Sequence, residues 1–432
     1  MKPTSTNEPA VKRALTLAWI LLLLAGTAFL LQARRTPAPI KIGILHSRTG
    51  TMAASEKPVS EATLLAVDEL NRRGGVLGHA IVPVMADGGS DPARFASEAR
   101  RLIDKEGVVA IFGCWTSASR KEVKAVVEAT NNLLIYPLQY EGVEESANIV
   151  YTGSVPNQQI KPAVKWALDH LGRRFFLVGS DYIFPRVANT LIRDLAGYLG
   201  AEVVGEHYVP MGGNDFRAVA EAIDRLRPAV VFNTLNGDSN LAFFAALEAR
   251  HLTAAQVPVF SFSIAETEVQ AMRGQLHQET LTGDYASWAY FQTLAGDANQ
   301  TFVARLRQRL GPDTPITDPM VSASMGVRLW SQAVTAANTF APPEVYRAFA
   351  RQSAHGPGGI VYIDDNNRHA WKPVRIGRIN AQGQFDIVWD SHKPIHPEPY
   401  PAHDSKNRWQ TLEQTLHDQW GGHWMNPAGE PR

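Results

Sequence analysis

Hydrophobic and polar positions along this chain keep switching between two periods. Ile40-Lys41-Ile42-Gly43-Ile44-Leu45 is an apolar run of strand length. Residues 61–70 then repeat apolar positions at helical spacing, and Gly74-Gly75 ends that run as glycine ends helices. The switch recurs. Strands are predicted over 81–86, 108–112 and 133–136, with a helix opened by Asp91-Pro92 and another over 117–132. After Pro156 the pattern starts again: helix 158–171, strand 175–179, helix 188–200, strand 202–209, helix 216–226, strand 229–233, helix 241–249, strand 259–262. A long helix over 320–338 and a strand-rich end from 359 to 390 follow, and the proline-rich stretch 394–401 reads as an extended surface strap.

Strands alternating with helices at this spacing form parallel sheets covered on both faces. Two such runs, split near residues 141–156, predict an α/β protein with two doubly wound lobes. The division expected is 1–39 as export segment and spacer, 40–155 as lobe 1 and 156–290 as lobe 2. Residues 291–432 would carry helices returning to lobe 1, the strand-rich end and the strap.

Composition narrows the function. The 432 residues are 45% hydrophobic, enough for large cores. Forty-two basic residues balance 42 acidic ones, so no electrostatic footprint for nucleic acid exists. Cys114 is the single cysteine, which rules out an intrachain disulfide framework and cysteine-based metal sites.

Residues 14–31 carry no charge and follow Lys12-Arg13. This is the pattern of an export signal, and it is also long enough to span a bilayer. The expectation is an uncleaved signal-anchor, with a cleaved signal as the alternative and an extracytoplasmic protein in either case. No cysteine ends the run, so a lipoprotein anchor is excluded.

Ligands of open α/β sheets bind beyond the carboxyl ends of the strands. There the chain places His46 to Gly50, Gly113 to Ser117, Tyr136 to Glu141, Gly179 to Tyr182, Asn233 to Asp238, Ser263 to Glu266 and Asp284 to Trp288. Hydroxyls, amides and aromatic rings dominate these loops, and clustered basic groups are missing. Such loops suit a small neutral polar ligand. Plainer roles compete: Ser117 and Asp238 as helix caps, Trp115 and Trp288 as core filler. The histidines show no metal spacing, and no phosphate loop, nucleophile elbow or dinucleotide fingerprint occurs. Binding without a cofactor, rather than catalysis, is expected.

The stretch Gly113-Cys114-Trp115-Thr116-Ser117-Ala118-Ser119-Arg120-Lys121 resembles the urea-binding proteins of bacterial ABC importers. So do Tyr136-Pro137-Leu138-Gln139-Tyr140-Glu141-Gly142, Gly179-Ser180-Asp181-Tyr182-Ile183-Phe184-Pro185-Arg186 and Trp371-Lys372-Pro373-Val374-Arg375-Ile376-Gly377. These are type I periplasmic binding proteins, akin to the short-chain amide sensors. The resemblance spans residues 40 to about 401, and Trp115 with Leu138-Gln139 points to the urea branch. It implies two lobes hinged over urea or a short amide. Trp115, Ser117 and Tyr136 would contribute from lobe 1, and Tyr182 with Asn236 to Asp238 from lobe 2. Thr116, Gln139, Glu266 and Tyr285 complete the candidate set. The implied partner is an ABC permease. A sensory subunit working with a membrane kinase and a branched-chain amino-acid receptor are the alternatives.

Overall fold

The computed structural model describes residues 12–20 and 37–427. Residues 12–20 are helical and exposed; the rest of the apolar run 14–31 lies outside the described residues. Among the described residues no helix is long and apolar enough to cross a membrane.

Lobe 1 is built on β1 (Ile40–His46), β2 (Ile81–Asp87), β3 (Ile111–Gly113), β4 (Leu134–Tyr136) and β5 (Ile149–Tyr151). They form an all-parallel sheet in the order β2-β1-β3-β4-β5. Lobe 2 is built on β6 (Arg174–Ser180), β7 (Glu202–Val209), β8 (Val230–Thr234), β9 (Val259–Ser261) and β10 (Tyr285–Trp288), again parallel. Residues 284–288, expected as a loop, are therefore mostly strand.

Alternation along the lobe 2 strands divides its core in two. Phe175, Leu177, Val230 and Phe232 face one layer of helices. Phe176, Val178 and Val231, each one position on, face the other. A central parallel strand buried on both sides has no polar face to show, which is why these runs read as continuously apolar.

The last third divides between the lobes. Helix Asp318–Ala337 packs on helix Ala53–Arg72, and its Trp330 and Leu329 enter the lobe 1 core. β11 (Ser353–Gly356), β12 (Gly359–Ile363) and β13 (Ala370–Trp371) make a small antiparallel sheet on that lobe. β14 (Arg375–Ile379) and β15 (Phe385–Asp390) cross back and extend the lobe 2 sheet beyond β10 in antiparallel sense. The second sheet is therefore mixed.

Residues 394–401 form no helix, pair with Lys372 at Ile395 and bend at 399–400. The Pro399 carbonyl accepts from the Val143 N–H at 2.7 Å, and those of Ile395 and His396 accept from the Gln158 and Asn157 side chains. Beyond them lies helix Lys406–Gln419, which the hydrophobic pattern did not reveal. Ser405 caps it by accepting from the Arg408 N–H at 3.2 Å. Its Trp409 is fully buried against lobe 2 together with Trp420.

Candidate functional site

The carboxyl ends of β3 and β4 in lobe 1 meet those of β6 and β8 in lobe 2. β3 approaches β1 so closely that a Cβ on Gly113 would lie 2.0 Å from the Leu45 carbonyl oxygen. The next residue, Cys114, has φ 66°, a left-handed conformation that is costly for a side chain and concentrates at ligand clamps. That turn puts Trp115 at the lobe boundary, where it is 5% exposed. Its indole N–H donates to Asn236 Oδ1 of lobe 2 at 3.4 Å.

Around this contact the polar groups form one buried network. Tyr136 donates its hydroxyl to the Trp115 carbonyl at 2.6 Å. Ser117 donates to Glu141 at 2.5 Å and accepts from Arg120 at 2.9 Å. Arg120, wholly buried, also reaches Glu141 and Glu144, each at 3.0 Å. Lys121 bridges Glu144 at 3.2 Å and Glu413 of the C-terminal helix at 3.0 Å. Tyr151 donates to Glu144 at 2.8 Å. Burial alone would raise the Glu144 pKa, but Arg120 and Lys121 outweigh it and hold the carboxyl well below the usual range. Burial pushes the phenols of Tyr136, Tyr140, Tyr151 and Tyr182 well up, so all four keep their protons. Tyr182, on the lobe 2 side, feels the charges of Glu141 and Arg120.

Of the residues singled out from sequence, Trp115, Ser117, Tyr136, Tyr182 and Asn236 come together here. Gln139 lies beside them; its Nε2 donates across the lobes to the Phe262 carbonyl at 2.9 Å, and its buried Oε1 has no partner. Thr116 is the helix cap that Ser117 was offered as, accepting from the Ser119 N–H at 3.1 Å. Asp238 is exposed and makes no side-chain cap; its N–H donates to Thr51 across the lobe boundary at 3.1 Å. Glu266 opens helix Glu266–Arg273, away from the network, and accepts from the Gln292 N–H at 2.8 Å. Tyr285 begins β10, at the end opposite the carboxyl termini, and packs on Phe260 and Trp166. Partners that the candidate set omitted include Arg120, Lys121, Glu141, Glu144 and Tyr151. The signal of the charged ones was weak, because charged residues in a helix and a loop usually face water.

A groove of about 360 Å³ on lobe 1, lined by Leu65, Phe302, Met325 and Arg328 among others, shares none of these residues.

Two α/β lobes meeting over a buried polar cluster give the chain the type I periplasmic binding protein fold. Residues 40–406 match the periplasmic binding protein domain, and the chain belongs to that family. Among curated relatives, the chain is 32% identical over 117 residues to limonene hydroxylase of Geobacillus stearothermophilus, covering 27% of this chain and 21% of that protein. It is 28% identical over 218 residues to a Leu/Ile/Val-binding protein of Rhizobium johnstonii, covering 49% and 57% respectively. The chain thus spans less than two thirds of the length of either. An ABC-transporter solute-binding protein of R. palustris, solved with 4-hydroxybenzoate, superposes with a TM-score of 0.73 at 23% identity, over 83% of this chain and 98% of that one. At that identity the likeness establishes the fold alone.

Proposed function

We propose that this protein closes over urea or a short aliphatic amide and hands it to an ABC permease, with residues 14–31 holding it at the membrane. One observation carries the reading. The basic groups of the interlobe network, Arg120 and Lys121, are already paired with Glu141, Glu144 and Glu413. Among the described residues of that network, a ligand carboxylate finds no unpaired cation. A neutral amide needs none.

Trp115 and Asn236 touch across the lobe boundary, so a ligand held between the lobes beside them would have to be small. Urea has four heavy atoms, and the best tiny ligands gain at most about 1.5 kcal/mol per atom. The ceiling is about 6 kcal/mol, a Kd of tens of micromolar. Reaching it requires every polar atom paired and water excluded, which lobe closure supplies.

A branched-chain amino acid is the second reading, favoured by the Leu/Ile/Val-binding relative. Its ammonium would find Glu141, but its carboxylate would have to be held by neutral donors. A sensory subunit would use the same cleft, and an adjacent kinase gene in place of permease genes would select that role.

The test is thermal unfolding of the full chain with low-millimolar urea, formamide, acetamide, leucine or 4-hydroxybenzoate. Ligand at about 100 times its Kd stabilises by about 2.7 kcal/mol. Stabilisation by urea or an amide, with leucine silent, is expected. Stabilisation by leucine or the benzoate alone overturns the reading.

A further inference from the structure

The ion pair beneath Ser117 dictates which hydrogen bonds that residue has left to offer. A serine hydroxyl has one hydrogen and two lone pairs. Glu141, ion-paired to Arg120, is a carboxylate and can only accept, so the Ser117 hydrogen goes to it, at 2.5 Å. Arg120 can only donate and occupies one lone pair, at 2.9 Å. A single lone pair remains, and toward any further group Ser117 is an acceptor. Tyr136 is left in the same condition, because its hydrogen is held by the Trp115 carbonyl, at 2.6 Å. Both lobe 1 hydroxyls therefore present acceptors to whatever the cleft encloses.

We propose that Glu141 is a positioning residue that sets ligand polarity: acting through Ser117, it makes the site accept a ligand N–H and refuse an oxygen lone pair of the same size. The inference rests on the amide reading above and deepens it, since it assigns Ser117 to the ligand NH2 group and not to the carbonyl. With Gln at 141, the side-chain NH2 can donate to Ser117 Oγ, and the serine hydrogen is released to turn toward the ligand.

Acetamide and acetate have the same shape and differ by NH2 against O⁻. Their affinities would be measured by titration calorimetry on the full chain, as wild type, Glu141→Gln and Ser117→Ala. In the wild type acetamide binds and acetate is at least 100-fold weaker. Glu141→Gln weakens acetamide about tenfold and narrows the acetamide-to-acetate ratio by at least tenfold, about 1.4 kcal/mol. Ser117→Ala keeps both charges and narrows the ratio in the same direction, and it serves if Glu141→Gln does not fold. A folded Glu141→Gln protein with an unchanged ratio overturns the proposal. So does an unchanged ratio in Ser117→Ala, because discrimination would then come from charge alone. A purely structural Glu141 would lower the melting temperature without moving the ratio. A wild type that binds neither urea nor acetamide overturns the amide reading itself, and this inference with it.

Discussion

Glu266 makes a sharp test of the electrostatic reasoning. It is 2% exposed, with one carboxyl oxygen held by the Gln292 N–H and the other, Oε2, without a hydrogen-bond partner among the described residues. Burial pushes its pKa up to about 8; two backbone N–H groups pull against this, and Glu268 and Asp318 add to it. The unfolded chain releases this proton near 4.3. Between those values the folded state holds a proton that the unfolded state has lost, so stability falls as pH rises, and the loss is complete above about 8. The slope is about 1.4 kcal/mol per pH unit, or about 2.7 kcal/mol between roughly pH 5.5 and 7.5. Glu266→Gln keeps a neutral planar group of the same size and carries no such slope. Guanidinium denaturation would be followed across this range for both proteins, urea being avoided as the proposed ligand. The expected result is a variant flatter than wild type by about 2–3 kcal/mol over the window. Parallel profiles would refute the assignment of a buried, protonated Glu266.

Other consequences follow from the same network and its surroundings. Arg120→Met leaves Glu141 and Glu144 buried without their shared cation and should cost about 3–5 kcal/mol, read from the guanidinium midpoint. Arg120→Lys should fail to restore it, since an ammonium cannot fork over both carboxylates. Ser55 of lobe 1 donates to Glu268 of lobe 2 at 2.6 Å, so Ser55→Ala should remove about 1 kcal/mol from the closed form. Calorimetry should show ligand affinity about fivefold lower although Ser55 lies on a different cross-lobe contact; an unchanged Kd would mean the contact persists when the lobes open. His369 is stacked on Tyr151 with ring centroids 4.1 Å apart, and burial pushes its pKa down to about 3. The stability it contributes is present above about pH 6.5 and is lost as pH falls toward 3. Histidine NMR should show this ring still neutral at about pH 4.5; a titration near 6.5 would contradict the burial argument.

Much of the candidate site could be read from the loops that follow strands. Trp115, Ser117, Tyr136, Tyr182 and Asn236 lie in loops that parallel sheets gather at their carboxyl ends, the family resemblance singled them out among those loops, and the structure places them around one lobe boundary. Tyr285 shows where that reasoning stops. It was read as part of a loop following a strand, whereas it is the first residue of β10 and sits at the other end of the sheet. Glu141 and Arg120 show the converse. Each looks like an ordinary solvated charge in its local segment, and only packing reveals that each is the other's reason for being buried.

What the sequence by itself determined is the set of elements whose identity is a local property. Periodicity, glycine stops and the Asp91-Pro92 start are visible within one or two turns of chain, so the strand and helix alternation from Ile40 to Ser261 was legible apart from β5, which lies in the stretch read as the split between lobes. The tertiary structure decided the rest. The antiparallel addition of β14 and β15 to lobe 2, the docking of helix Lys406–Gln419 through Trp409, and the bridge from Lys121 to Glu413 join residues far apart in the chain. None of these leaves a periodic trace, because the energy resides in the partner's surface and not in the segment itself. The cleft is such an object: its polar groups acquire their donor and acceptor roles only when two lobes, folded separately in sequence, bury them against each other.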